Sequence, residues 1–576
     1  MKKLLMTAGM FLCLVLAGHT FAQTSNATLG GTVSDATGAL IPGVTITATN
    51  TATGSVNTAL TNEAGAYQFA SLQTGTYKVT AALSGFQTLT YNEVALGVSQ
   101  QVRLNFRLQV GSIAQSVEVT AAADTSIATT SSSIGTVLPD YKVRDLPLGG
   151  RNVLDLLRTT SGVSNAISGT TANDGATAGD TGYFAGGRLS AVNTTRDGFV
   201  VSDGRYNHGA FSVTYTSPDL VEEVRVITAP VDAEVGRGSG QVQMVTRSGT
   251  NQLRGSVFWN NRNSALDASN WFNNFNSIPK DYENRNQYGA RLGGPIIKNK
   301  TFFFFLVDEQ RDVLKQTFVG TVLTPQARLG IFRFFPGADN QNATQNNPTV
   351  DRNGNPVRPA SATGDLQSFS VFGRDTFRPG YDPTGFIQNV ILGRMPLPND
   401  YTIGDGLNTA GIRWTRRIGG LDNADGSTFD QTNRDQFNMR LDHNINSNHK
   451  LSVVYTWERG LNNTIQAGIP FWPGGYSGAN DKWPKVLNTS LVSTLSSSVV
   501  NELRIGYKVT KQTSWAPWYV GKDYLKNEKA EPGPDGKDAF AIVPKLNGIP
   551  FQPVTTLFPE NIVKWNTNAG TNRFNN

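Results

Sequence analysis

The sequence predicts an all-β-dominated chain: a signal peptide, a small β-sandwich, a mixed α/β domain and the N-terminal part of a transmembrane β-barrel. Three observations lead to this fold class. The chain has 576 residues, more than one ordinary domain holds. Only 16% of the residues are charged and 59 are glycine, which favours β-structure with many turns over a helical enzyme. After residue 250, well-spaced hairpins with alternating apolar residues are typical of a membrane β-barrel.

Charge and residue usage exclude several functions. The net charge of +6 is small for this length and the basic residues are scattered, so we expect no nucleic-acid partner. The single cysteine, Cys13, lies in the leader, which leaves no disulfide, thiolate metal site or cysteine nucleophile in the mature chain. His208, His443 and His449 are far apart and not at metal-ligand spacing. No phosphate-binding loop, nucleophile elbow or EF-hand is present. We therefore expect no catalytic residue, metal or cofactor, and no enzyme.

Residues 1–22 predict a secretory signal peptide. Lys2 and Lys3 precede an apolar core from Leu4 to Ala17, and Thr20-Phe21-Ala22 supplies small residues before the cleavage point. The apolar run is short for a membrane anchor. The longest later apolar run, residues 302–307, has the length of a strand, so we expect any membrane crossing to be made by strands.

Residues 27–110 predict a small β-sandwich, here called the sandwich module. Short alternating strands are separated by glycine turns at intervals of roughly ten residues. The pattern resembles the carboxypeptidase regulatory-like domain, which is non-catalytic and shares its fold with carbohydrate-binding modules. The resemblance implies that the inward positions pack between the two sheets: Tyr67, Phe69, Leu72, Tyr77 and Val79. The alternative is that the aromatic side chains stack on sugars.

Residues 111–133 predict a linker that carries a strand-forming peptide. Val117-Glu118-Val119-Thr120-Ala121 is followed by an Ala/Ser/Thr tract that ends at Ser133. A short β-prone segment beside a flexible linker suits β-augmentation, in which a peptide adds to the edge of a partner's sheet. The alternative is the last strand of the sandwich.

Residues 134–250 combine a short helix with strands and glycine turns. Val153, Leu154, Leu156 and Leu157 form one helical stripe just after Arg151. Further along come Arg188 and the hairpin-type turn Asp197-Gly198. Two strands, 221–228 and 241–246, flank a turn with three glycines that permit a positive φ or a close approach to another wall. The first strand carries Glu222, Glu223 and Arg225, and the turn carries Gly236, Gly238 and Gly240.

This order of motifs resembles the plug domain of TonB-dependent outer-membrane receptors of the Oar-like subgroup, so residues 134–250 are here called the plug segment. The resemblance identifies Arg151, Arg188, Asp197, Gly198, Glu222, Glu223, Arg225, Gly236, Gly238 and Gly240 as plug motif residues, and Val117 to Ala121 as a TonB box. It implies an outer-membrane location and a plug that rearranges when TonB pulls from the periplasmic side. The imported ligand would be a chelate, vitamin, glycan or peptide. The alternative is a structural or adhesion protein of the same architecture that does not transport.

Residues 251–576, here called the barrel segment, predict part of an outer-membrane β-barrel in contact with lipid. The clearest hairpin runs from Phe437 to Trp457 around a tight turn at residues 446–449, and its polar positions would face a wet lumen. Long Gly/Asn/Pro-rich connections at 311–435 and 461–485 predict extracellular loops. Since family barrels have roughly 22 strands, we expect an incomplete chain with an open barrel.

One of these loops has the composition of a ligand-binding site. Phe471, Trp472 and Tyr476 lie beside glycines and could stack on a sugar ring or grip a peptide. A membrane-interface girdle of aromatic residues is the alternative.

Overall fold

The computed structural model describes residues 26–98, 100–111, 116–120, 134–146, 148, 150–164, 183–184, 187–188, 192–203, 208–229, 240–275, 280, 282–338, 347–371, 392, 395–418, 433–462, 479–496, 499–515, 545–546, 549–553, 563–565 and 572–575. The signal peptide lies outside them. Among these residues, no helix has the length and apolarity needed to cross a membrane.

The sandwich module is built from two facing sheets. Its strands are β1 (Ala27–Ser34), β2 (Thr45–Asn50), β3 (Val56–Leu60), β4 (Ala66–Leu72), β5 (Gly75–Ala82), β6 (Thr88–Leu96), β7 (Gln101–Arg103), β8 (Phe106–Arg107) and β9 (Ser116–Thr120). One sheet has the order β4-β1-β7, with β8 also paired to β1, and the other has the order β3-β2-β5-β6-β9.

The core of the sandwich module confirms the inward positions expected from the sequence. Tyr67, Phe69, Leu72, Tyr77 and Val79 are all buried in one apolar cluster. The Tyr67 hydroxyl donates to the carbonyl of Leu104 at 2.6 Å, and the Tyr77 hydroxyl donates to the carbonyl of Gln73 at 2.8 Å. These aromatic side chains are consequently not available to stack on a sugar.

Strand β9 contains most of the segment that resembles a TonB box. It lies at the edge of the second sheet and pairs in parallel with β6, from Thr88 with Ser116 to Asn92 with Thr120. The structure thus shows the pairing expected of a last sandwich strand. Ala121 lies outside the described residues.

The plug segment combines a central sheet with short helices. Its strands are β10 (Ile134–Leu138), β11 (Val163–Ser164), β12 (Tyr183–Phe184), β13 (Gly187–Arg188), β14 (Val192–Arg196), β15 (Phe199–Val200), β16 (Ser202–Asp203), β17 (His208–Ser212), β18 (Val221–Ala229) and β19 (Gly240–Thr246). The central sheet has the order β10-β18-β19-β14-β15. An α-helix spans Asp140–Asp145, and the predicted apolar stripe forms a 3₁₀ helix, Val153–Thr159, that buries Val153, Leu156 and Leu157. The Asn152 side chain accepts from the Leu154 amide and caps this helix.

The barrel segment forms one large antiparallel sheet and two small ones. Its strands are β20 (Arg254–Asn263), β21 (Tyr282–Ile297), β22 (Thr301–Leu323), β23 (Ile331–Phe334), β24 (Gln367–Ser370), β25 (Thr409–Ile418), β26 (Asn433–Asn444), β27 (His449–Asn462), β28 (Ala479–Thr494), β29 (Val500–Trp515), β30 (Lys545–Leu546), β31 (Ile549–Pro553), β32 (Val563–Trp565) and β33 (Asn572–Asn575). The small sheets are β23-β24 and β30-β31-β32, and the main sheet has the order β20-β21-β22-β26-β27-β28-β29-β33, with β25 added beside β22. Its end strands β20 and β33 do not pair with each other among the described residues, which confirms the expected open barrel.

Short helices occur in the connections of the barrel segment. They are a 3₁₀ helix, Ser264–Leu266, and two α-helices, Trp271–Phe275 and Pro325–Arg328.

The two faces of the barrel sheet have opposite character, as the sequence predicts. Val257 and Trp259 on β20, and Ile505 and Tyr507 on β29, are exposed on the outer face. Buried polar residues of β26 line the inner face: Arg434, Gln436, Asn438, Arg440 and Asp442. This arrangement places apolar side chains toward lipid and polar side chains toward the plug segment.

Strand β22 is much longer than the sequence pattern indicates. The strand that contains the apolar run at 302–307 continues to Leu323, and its second half pairs with β25 from Leu314–Ile418 to Leu323–Thr409. The connection expected at 311–435 is therefore partly a long hairpin, because residues 313–323 are rich in β-branched Val and Thr. Helix Pro325–Arg328 and the small hairpin of β23 and β24 follow in the same connection.

Candidate functional site

The surface between the plug segment and the inner barrel wall contains three of the plug motif residues: Arg151, Asp197 and Gly198. One part of it is the tight hairpin between β14 and β15. Asp197 and Gly198 form its turn with φ values of 51° and 71°, the left-handed backbone that Asp and Gly tolerate best. The Asp197 carboxylate accepts from the Thr246 amide at 2.9 Å and from the Thr246 hydroxyl at 2.6 Å. The hairpin is thereby fastened to the end of the last plug strand.

This same hairpin is held by three barrel strands. Arg440 on β26 lies 3.3 Å from the Asp197 carboxylate. Asn488 on β28 donates to the Asp197 carbonyl at 3.0 Å, and Arg504 on β29 donates to the Gly198 carbonyl at 2.9 Å. Asp197-Gly198 is consequently a turn and a plug-to-barrel contact at once.

Next to this turn, a buried arginine of the plug segment reaches the barrel wall. Arg196 donates to the Thr456 hydroxyl on β27 at 2.8 Å and to the Thr214 hydroxyl at 3.3 Å. Burial lowers the pKa of Arg196, and neighbouring Asp197 opposes that shift. Arginine nevertheless keeps its charge in proteins, so a cation is fixed between plug and barrel.

Tyr215 is a buried plug residue that forms hydrogen bonds with three barrel strands. Its hydroxyl donates to the Gly150 carbonyl at 2.7 Å and accepts from Gln287 on β21 at 2.9 Å. Its backbone amide donates to Glu458 on β27 at 2.7 Å, and its carbonyl accepts from Gln436 on β26 at 2.7 Å. Burial raises the pKa of the Tyr215 hydroxyl, which therefore stays protonated and can donate.

A buried ion pair completes the Tyr215 pocket. Arg434 pairs with Asp308 at 2.8 Å, and both side chains are almost wholly enclosed. The guanidinium carbon of Arg434 lies 3.3 Å from the centre of the Tyr215 ring. A barrel cation thus stacks on a plug ring while it is paired with a barrel carboxylate.

Arg151 forms a third link between the two segments. It pairs with Asp219 of the plug segment at 2.5 Å and lies 4.9 Å from the ring centre of Phe258 on β20. Arg291 on β21 approaches the other oxygen of Asp219 at 3.4 Å. The predicted motif residue Arg151 therefore belongs to the plug-to-barrel contact.

The acidic strand β18 contacts the sandwich module. Glu223 accepts from the Val98 amide at 2.9 Å, and Arg225 donates to the Val98 carbonyl at 3.1 Å. Burial raises the pKa of Glu223, and the hydrogen bond from the Val98 amide opposes this increase without cancelling it. Burial also raises the pKa of Glu222, and the positive charge of nearby Arg247 opposes this increase. Two plug motif residues, Glu223 and Arg225, therefore lie against a domain other than the barrel.

The remaining predicted site residues fall into three groups. Gly240 begins β19, and Arg188 lies in β13, where its backbone pairs with Tyr183. Gly236, Gly238, Phe471, Trp472 and Tyr476 lie outside the described residues. Val117 to Thr120 lie in β9, at the sandwich edge.

Tyr215 and its partners Asp308, Arg434, Gln436 and Glu458 are not predicted from the sequence. The inner-facing polar positions of the barrel hairpins were a usable signal, because they mark the wall that a plug would touch. No local pattern marks Tyr215, since its partners on β26 and β27 lie more than 200 residues away.

The interface between plug and barrel is suited to being made and broken. Its contacts combine hydrogen bonds and ion pairs with an apolar cluster in which Phe304, Leu306 and Val486 of the barrel pack against the plug core. Each buried hydrogen bond contributes only about 0.5–1.5 kcal/mol net, because water replaces it when the surfaces part. The described residues contain no cluster of three or more His, Cys, Asp or Glu positioned for a metal. The arrangement can hold a plug and release it.

Comparison with known families agrees with this architecture. Residues 245–575 match the model of the outer membrane beta barrel domain. Residues 126–241 match the TonB-dependent receptor plug domain, and residues 28–109 match the carboxypeptidase regulatory-like domain.

Individual relatives are more distant. The chain is 28% identical over 309 residues to the TonB-dependent transporter Oar of Myxococcus xanthus, covering 50% of this chain and 27% of that protein. The outer membrane transporter YddB of Escherichia coli superposes with a TM-score of 0.39 at 11% identity, covering 66% of this chain and 39% of that one. BauA, the ferric preacinetobactin receptor of Acinetobacter baumannii, gives a TM-score of 0.30 at 11% identity, covering 67% of this chain and 47% of that one. The chain thus spans less than half the length of each of these proteins.

Proposed function

Because the chain belongs to the outer membrane beta barrel domain family and carries a TonB-dependent receptor plug domain, we propose that it imports a ligand by TonB-driven rearrangement of its plug. Its location is the outer membrane. TonB-dependent receptors act with TonB and with ligands, and here TonB would approach from the periplasmic face. The role is transport, with no reaction catalysed and no cofactor bound.

The polar contact between plug and barrel carries this proposal. Tyr215 and Asp197 are held by hydrogen bonds and ion pairs to residues of the barrel wall. An apolar cluster that includes Phe304, Leu306 and Val486 adds to this contact. Water can replace each polar contact when the plug moves, which lowers the cost of separating the two surfaces.

The ligand class is a glycan, a peptide, a metal chelate or a vitamin. The loop that contains Phe471, Trp472 and Tyr476 is the proposed contact, because aromatic side chains beside glycines can stack on a sugar or grip a peptide. A screen of glycans, peptides and ferric chelates against the full-length receptor tests this. Loss of binding in Trp472→Ala supports the loop, and unchanged binding assigns Trp472 to the membrane interface.

A second candidate function is a structural or adhesion protein that keeps this architecture without transport. The pairing of β9 with β6 favours it, since a segment built into the sandwich is less accessible to TonB. Uptake of the screened ligand by cells with and without TonB separates the two. Equal uptake in both cells contradicts the transport proposal.

A further inference from the structure

Among the described residues, the sandwich module contacts the plug and barrel segments through one of its ends. That end consists of Asn26 and the connections at 50–57, 71–75 and 97–98, which we call the docking end. The strand directions explain why these pieces lie together: β1 pairs Ala27 with Leu72, β2 pairs Asn50 with Tyr77, and β6 pairs Leu96 with Gly75. Among the described residues, the opposite end of the module, which includes Ala36 and Glu63, is exposed and forms no hydrogen bond with either segment.

The docking end is hydrogen-bonded to the plug segment through the backbone of Val98. Both polar groups of the Val98 backbone are used: its amide donates to Glu223 at 2.9 Å and its carbonyl accepts from Arg225 at 3.1 Å. A Cβ added at the adjacent Gly97 would lie 2.7 Å from a Glu223 oxygen. This fit fixes the loop against strand β18, which lies within the central plug sheet between β10 and β19.

The docking end also rests on the base of the barrel. The Asn251 amide donates to the Ala52 carbonyl at 3.0 Å. Lys450, beside the tight turn between β26 and β27, donates to the Asn57 side chain at 2.7 Å. At Gly54, where φ is 69°, an added Cβ would lie 2.3 Å from the Asn299 side chain in the turn between β21 and β22. The contacts therefore come from the end of the barrel that carries its tight turns.

Little space remains where the three parts meet. A polar cavity of about 50 Å³ lies among Gln73, Thr74, Asp197, Arg440 and Lys450. It is large enough for only a few water molecules. The sandwich module thus packs closely against the Asp197 turn of the plug segment and covers one side of that turn.

Strand β9 contains most of the segment that TonB would pull, and its partner β6 leads to this contact. It pairs in parallel with β6, and the chain leaves β6 at Leu96 to enter the loop that holds Val98. Removal of β9 exposes β6 as a sheet edge and frees five residues of chain, which extend the tether to the plug by about 17 Å at 3.3–3.6 Å per residue.

We propose that the sandwich module is a clamp, docked end-on against the plug and the barrel base, and that withdrawal of β9 releases it. The docked module would stand in the path of a plug moving toward the periplasm, so undocking precedes plug movement. The release step rests on the proposed function, whereas the docking does not.

Disulfide trapping tests the docking. The only cysteine of the 576 residues, Cys13, lies in the predicted leader, so residues 23–576 add no cysteine to the engineered pair. Ala52→Cys with Asn251→Cys joins residues already linked by a backbone hydrogen bond, within reach of a disulfide. The matched control is Ala36→Cys with Asn251→Cys, which uses the far end of the module. We expect rapid cross-linking of the first pair and none of the second in the full-length receptor; equal rates would overturn the docking.

Two further variants each remove one hydrogen bond of the docking end, the first with the plug segment and the second with the barrel segment. Glu223→Ala removes the acceptor for Val98, and Lys450→Met removes the donor to Asn57. Loss of either contact should slow trapping of the Ala52→Cys and Asn251→Cys pair by roughly two- to tenfold, the range for one hydrogen bond. Glu63→Ala, at the far end, should leave the rate unchanged. Rates unchanged in both Glu223→Ala and Lys450→Met would contradict the clamp.

A purified C-terminal fragment of TonB tests the release. If the fragment binds and takes β9 from β6, trapping slows at saturating fragment. Binding with an unchanged trapping rate would overturn the release step and leave the proposed transport function intact. A fragment that does not bind at all would contradict transport and with it the release step, whereas docking stands on the trapping result alone.

Discussion

The ring of Tyr215 in the plug lies directly beneath the guanidinium of Arg434 in the barrel wall, 3.3 Å from ring centre to guanidinium carbon. Tyr215 also exchanges backbone and hydroxyl hydrogen bonds with three barrel strands, through Gln287, Gln436 and Glu458. This one residue therefore reports whether the plug is seated.

Removal of the Tyr215 hydroxyl should loosen the plug. Tyr215→Phe keeps the stacked ring but leaves the Gly150 carbonyl and the Gln287 amide without this partner, at a cost of about 1–3 kcal/mol. Tyr215→Ala also loses the ring and should cost about 3–5 kcal/mol. Hydrogen exchange of the β19 amides measures the free energy of opening. Equal protection in wild type and both variants would mean that Tyr215 does not seat the plug.

The ion pair behind Tyr215 should matter far more than a similar pair at the surface. Arg434→Met leaves Asp308 buried without its cation and should destabilise the receptor by about 3–5 kcal/mol. The control is Arg311→Met, which breaks a half-exposed pair with Asp435 at 2.7 Å and should cost about 0–1 kcal/mol. Thermal unfolding in detergent compares the two. Similar losses in both variants would contradict the burial argument.

Close packing of the plug hairpin should make Gly506 intolerant of a side chain. A Cβ at Gly506 on β29 would lie 2.0 Å from the Phe199 ring of the plug, so Gly506→Ala should cost about 1–3 kcal/mol through overpacking. At Gly293 on β21 an added Cβ meets its nearest atoms at 3.4 Å, and Gly293→Ala serves as the milder control. Urea unfolding followed by tryptophan fluorescence measures both. A Gly506→Ala variant as stable as wild type would show that Phe199 is free to move aside.

Alkaline pH should destabilise the sandwich module. Burial raises the pKa of Tyr77 to about 12, above the usual value near 10. The neutral hydroxyl is favoured in the fold, so its contribution is complete below about pH 10 and is lost as pH rises toward 12. The loss over that range is about 3 kcal/mol.

Urea unfolding of the excised module at pH 9 and pH 11.5 measures this dependence, and Tyr77→Phe is the control because it cannot ionise. Burial also raises the pKa of Tyr67, so its ionisation lowers the stability of the module at alkaline pH as well. This effect is present in both the wild-type module and Tyr77→Phe, so the comparison isolates Tyr77. A wild-type module with no greater pH dependence than Tyr77→Phe would contradict the assignment.

Local patterns predict much of this fold. The alternation of apolar and polar residues predicts that Tyr67, Phe69 and Tyr77 of the sandwich module are buried, because strand periodicity fixes which side chains face inward. The Asp197-Gly198 turn is also predictable, since few residue pairs adopt two successive positive φ values.

The contacts between segments are not predictable in this way. Tyr215 meets Arg434 and Glu458 only because the barrel strands wrap around the plug, and no local periodicity records that proximity. The 3₁₀ form of Val153–Thr159 also escapes a periodicity argument, because so short an apolar stripe fits a 3₁₀ helix as well as an α-helix.

The most direct test of TonB-dependent function is binding of a purified TonB C-terminal fragment to the full-length receptor carrying Val119→Pro or Val119→Ala. Strand addition uses main-chain hydrogen bonds, and proline has no N–H to donate. We expect Val119→Pro to abolish fragment binding and ligand uptake while surface display and ligand binding persist, and Val119→Ala to have a small effect. Wild-type fragment binding and uptake in Val119→Pro would contradict the assignment of residues 117–121 as the segment that TonB pulls.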